Sequence, residues 1–182
     1  MPWIAVGAGV LFGLALLCLV AFFVTKDARF DRIAEWAFVG FAVLAVPTIV
    51  AANGQLAGGA LEALVMWAGI LGVGFIGLGE LAITLRLIEF RRVAAVITMG
   101  FLAFLAWIGA VSVLAIANGA LPVELGWLGI VSIALGILIV AWLASQPGVL
   151  TAEREPSRIQ MGAFLVPMAG IVVWLVWLGF SL

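Results

Sequence analysis

The chain has 182 residues, 67% hydrophobic and only 9% charged, with a formal net charge of −1 and no histidine or tyrosine. A soluble domain carries about 25% charged residues, so 17 ionisable side chains cannot cover a water-facing surface of this size. The lone Cys18 excludes an internal disulfide framework, and near-neutral charge with so much apolar content excludes disorder and nucleic-acid binding. What remains is an all-α polytopic membrane protein, a single transmembrane domain over residues 1–182 embedded in the lipid bilayer.

A helix needs roughly 20 apolar residues to cross about 30 Å of hydrocarbon. Six stretches meet that requirement in chain order: about 3–24, 33–52, 63–85, 93–117, 123–145 and 159–181. The first, from Trp3 to Val24, lacks a basic start and is too long for a signal-peptide core, so it is expected to be retained. Pro47 in the second and Pro167 in the sixth each remove a backbone donor, and a kink is expected at both.

The connections alternate in chemistry. Lys26 to Arg32, Arg86 to Arg92, and Glu153 to Arg158 are charged, and together hold all eight basic residues. The two others, Asn53-Gly54-Gln55 to Gly59 and Asn118-Gly119 to Pro122, hold none. The positive-inside rule therefore predicts that the three charged loops are cytoplasmic and both termini extracytoplasmic. So short and compact a chain suits a multi-pass protein of a prokaryotic cell membrane. Ala-Asn-Gly closes both the second and fourth spans, and Asn or Gly in the left-handed region is a common helix stop. Glu62 and Glu124 then fall near helix starts, where the dipole favours an anion. The Gln146–Ser157 connection reads as a solvated loop, with docking of a cytoplasmic partner as the alternative.

A faint repeat runs through the chain. Trp67-Ala68-Gly69-Ile70 opens the third span and Trp127-Leu128-Gly129-Ile130 the fifth, while Trp3-Ile4-Ala5-Val6 opens the first. Three tandem helical hairpins in one orientation would produce this pattern.

Helices in lipid associate through small residues. Gly9 and Gly13 form such a pair in the first span, and Gly69, Gly72, Gly74, Gly77 and Gly79 crowd the third. On a helical wheel Gly72 and Gly79 share one side, while Gly69, Gly77, Glu80 and Thr84 share an adjoining arc. The third helix is therefore expected at the bundle centre, with these glycines as packing seams.

Glu80 is the one charged side chain well inside a predicted span, about 9 Å along the helix from Arg86. An intramembrane carboxylate is by default a functional-site hypothesis. It can serve as a proton or cation site with Thr84 beside it, pair with Arg32 or Arg91, or act as polar glue towards another subunit. Thr48 and Thr98 are further candidates for a polar lining.

Absences narrow the chemistry. No histidine means no usual haem or chlorophyll ligand, and one cysteine with scattered carboxylates makes no metal site. No serine has a base nearby in sequence, and no phosphate-binding glycine loop occurs. The expectation is a chain that is not an enzyme and takes no cofactor. It is read as an accessory or structural subunit of a larger membrane complex or homo-oligomer; the alternative is a small transporter or channel using Glu80.

Overall fold

A computed structural model describes residues 2–56, 58–145 and 158–182. They form six long helices: α1 (Pro2–Thr25), α2 (Ala28–Gly54), α3 (Ala60–Thr84), α4 (Phe90–Asn118), α5 (Val123–Ala144) and α6 (Arg158–Ser181). All six contain a segment long and apolar enough to cross a membrane, and the fold is an all-α six-helix bundle. The Gln146–Ser157 connection lies outside the described residues.

Each helix packs against its chain neighbours, and α6 closes back on α1. The result is a ring in the order α1 to α6. No helix occupies the centre, which corrects the expectation for α3. Of the six spans, α3 and α5 bury the smallest shares of their lengths. Side chains fill the middle instead. Phe12 of α1 lies 4.9 Å from Phe41 of α2, and Phe41 lies 5.3 Å from Phe104 of α4, centroid to centroid. Phe104 stacks on Trp107 at 5.6 Å, and Trp107 meets Trp174 of α6 edge-on at 5.7 Å. All five rings are essentially inaccessible. Offset and edge-to-face pairs of this kind add attraction beyond simple contact, which matters in lipid, where apolar burial alone drives little association.

Helix boundaries differ from the sequence expectation mainly at charged starts. α2 begins at Ala28 rather than 33, because Asp27 caps it by accepting the Arg29 N–H at 2.9 Å, so the charged run Arg29 to Arg32 is helical. Likewise α4 begins at Phe90 and α3 at Ala60. Interfacial polar residues need not end a helix whose backbone bonds are already made. The two Asn-Gly stops behave differently. Gly119 takes the left-handed conformation at φ 64° and ends α4. Asn53 and Gly54 remain helical, since Asn53 Nδ2 donates to Ile49 O at 2.9 Å, and the left-handed turn falls at Gly58 with φ 71°. Both α2 and α6 continue through their prolines. Trp3, Trp36, Trp67, Trp127, Trp142 and Trp177 point outward, the orientation expected of an interfacial belt.

Candidate functional site

The glycine pattern of α3 determines which neighbour each side meets. A methyl group built on Gly72 would lie 2.7 Å from Phe104 N and 2.9 Å from Gly100 O, so α3 and α4 touch backbone to backbone. Gly79 packs on Ile97 of α4. On the adjoining arc, Gly77 meets Ala42 of α2, and Gly69 sits between Trp107 of α4 and Ile49 of α2. Glu80 and Thr84 continue that arc towards the end of α3, and so they face α2.

Antiparallel packing sets what they meet there. With Ala42 level with Gly77, the α2 residue level with Thr84 is Glu35. Thr84 Oγ1 donates to Glu80 O at 2.7 Å and also lies beside the Glu35 carboxylate. Glu80 is buried, with 8% of its surface exposed. The charges acting on it are those of Glu35 and Asp31, both acidic. Arg32 and Arg86 act on Glu35 instead. The expected pairing of Glu80 with Arg32 or Arg91 is therefore not made. Nor does Glu80 face a second subunit, since α2 of its own chain covers it.

Asp31, Glu35, Glu80 and Thr84 thus form an acidic cluster between α2 and α3, roughly one turn inside the charged end. Of the three carboxylates only Glu80 is buried, and like charges beside a buried carboxylate are unfavourable. Among the described residues no group of three metal-ligating side chains is assembled, so a multidentate metal centre is not what the cluster offers. Asp31 and Glu35 were not among the candidate site residues read from the sequence. The signal was present in the spacing: Asp31, Glu35, Phe38 and Ala42 recur at i, i+4, i+7 and i+11, one face of a helix, once α2 is allowed to begin at Ala28.

Other expected polar residues lie elsewhere. Thr48 is buried, but its hydroxyl donates to Leu44 O at 2.9 Å within its own helix. Thr98 points outward. Gly9 and Gly13 face Val176 and Val172 of α6 and seal the ring within one chain. A second polar group, which the sequence reading did not anticipate, lies at the junction of α4, α5 and α6. Ser112 Oγ, Trp107 Nε1 and Trp174 Nε1 are buried there without hydrogen-bond partners. Gly129 of α5 touches the Ser112 hydroxyl and would bring a methyl group to 2.8 Å from Trp174 Nε1.

Comparison of the chain with family models, with curated proteins and with solved structures finds no match.

Proposed function

We propose that the chain is a non-catalytic integral membrane subunit, acting by packing its lipid-facing helices against a partner membrane protein or another copy of itself. The observation that carries this reading is the filled interior. The aromatic series from Phe12 to Trp174 occupies the middle of the ring, and the acidic cluster lies to one end of it rather than forming part of a through-path. Two outward faces support association. On α3, Trp67, Leu71, Gly74 and Leu78 form one stripe, and on α4, Leu102, Ala106, Gly109 and Val113 form another. Nothing lies within 4 Å of where a side chain on Gly74 or Gly109 would begin, so each stripe holds a notch into which a helix can settle. The reading places the protein in a prokaryotic cell membrane, with the charged end in the cytoplasm, on the positive-inside rule.

Site-specific photo-crosslinkers at positions 74 and 109 in native membranes test this. Adducts of defined protein mass at one or both positions are expected. Lipid adducts alone would contradict it.

A second reading, a small proton- or cation-coupled transporter, is favoured by one specific observation: among the described residues, the charges acting on buried Glu80 are those of Glu35 and Asp31, both acidic. It requires that Glu80→Gln abolish flux in reconstituted vesicles while the protein still inserts. Flux that survives the change removes this reading.

A further inference from the structure

We propose that a crevice between α1 and α2, at the charged end of the bundle, holds an anionic phospholipid, with Arg29 and Arg32 on the phosphate. The crevice has a volume of about 830 Å³, within the range of small-ligand sites. Its walls change character with depth. Arg29, Arg32, Ile33 and Trp36 follow one another at i, i+3, i+4 and i+7, a single stripe on α2. That stripe runs about 10 Å down the helix, from guanidinium to indole. Leu14 faces it from α1, about 16 Å from that helix's end at Thr25. Leu14, Ile33 and Trp36 are each 41–51% exposed, on helices long and apolar enough to span a membrane. Cationic groups at the rim above an apolar wall match the layout of a phospholipid, with its phosphate at the interface and its acyl chain directed inward. Basic pockets between transmembrane helices recognise anionic headgroups by this arrangement.

Charge selects the headgroup. Two guanidiniums and one carboxylate, Asp27, line the crevice. The Asp27 side chain is already engaged, accepting the Arg29 N–H at 2.9 Å. Arg32 also acts on Glu35, which leaves Arg29 as the principal phosphate ligand and Arg32 as the second. A zwitterionic headgroup would bring its own cation to this rim and gain less.

The full-length protein, purified and delipidated, is titrated with phosphatidylglycerol, phosphatidylcholine and inorganic phosphate, and bound molecules are counted by intact-protein mass spectrometry. Phosphatidylglycerol is expected to bind at least tenfold more tightly than phosphatidylcholine, about twofold steeper than one basic residue provides, and inorganic phosphate to leave no adduct. The R29Q/R32Q variant should lose about 25-fold in phosphatidylglycerol affinity, about fivefold per arginine. R91Q/R92Q, which removes equal charge from the next basic connection, should bind as the parent does. If R29Q/R32Q does not fold, R29K/R32K keeps the charge and should retain headgroup preference. Equal binding of both lipids, undiminished affinity in R29Q/R32Q, or equal loss in R91Q/R92Q would each overturn the proposal. So would inorganic phosphate binding as tightly as the lipid.

Discussion

At the scale of single residues, the fold depends on positions where there is no room for one more carbon. Gly72 lies against the backbone of α4, at Phe104 N and Gly100 O, and backbone cannot swing aside as a side-chain tip can. Gly72→Ala should therefore destabilise the bundle by about 1–3 kcal/mol, the cost of overpacking a tight core, read as a lower midpoint in a detergent thermal melt. Gly74→Ala, two residues away on the same helix, meets open space and should leave that midpoint unchanged or raise it. The contrast separates close approach from glycine's general effect on helix propensity, which both substitutions share. Gly129→Ala should also lower the midpoint, because its methyl group would meet the Ser112 hydroxyl and lie 2.8 Å from Nε1 of Trp174, whose indole is fully buried. The charged cluster allows a different test. Glu80→Gln keeps the shape and removes the charge that Glu35 and Asp31 oppose. Its thermal midpoint should be equal to or higher than the parent's, whereas a Glu80 held by a counter-charge would give a lower one.

At the scale of the helix, what could be read from the sequence and what could not have separate causes. Span existence was legible because a membrane imposes a minimum apolar length, and each of the six predicted stretches lies almost wholly within a helix. Starts were less legible, since Asp27 caps α2 ahead of a charged first turn and composition alone reads that turn as loop. The same shortening hid Asp31 from the site, whereas Glu35 lay inside the predicted span but close to its charged end. Partner choice was illegible for another reason: the wheel divides α3 into arcs, but nothing in one helix says which neighbour each arc meets, and Gly69 lies between α4 and α2. In the folded chain Gly72 turns to α4 and Gly77 to α2, so bulky residues at Gly72 or Gly9 test the monomer's own packing rather than assembly. Assembly is tested on the outward stripes. The double substitution G74L/G109L should fill both notches and abolish association while leaving the chain folded, measured as a fall in complex mass with an unchanged thermal midpoint.

For the molecule as a whole, a ring of six helices closed by α6 on α1 presents apolar surface in every lateral direction, and its described basic residues gather at one end. The proposed orientation, charged end in the cytoplasm, rests on that gathering. Cys18 is buried, so single cysteines introduced at Asn118 and at Arg29 report on a quiet background. A membrane-impermeant thiol reagent applied to intact cells should label position 118 and spare position 29. The central claim, association through lipid-facing helices, is tested most directly by the mass of the particle extracted from its native membrane in gentle detergent. A particle heavier than one chain, containing either a stoichiometric foreign subunit or further copies of this one, is the predicted result. A lone monomer, stable and free of protein partners, would contradict it.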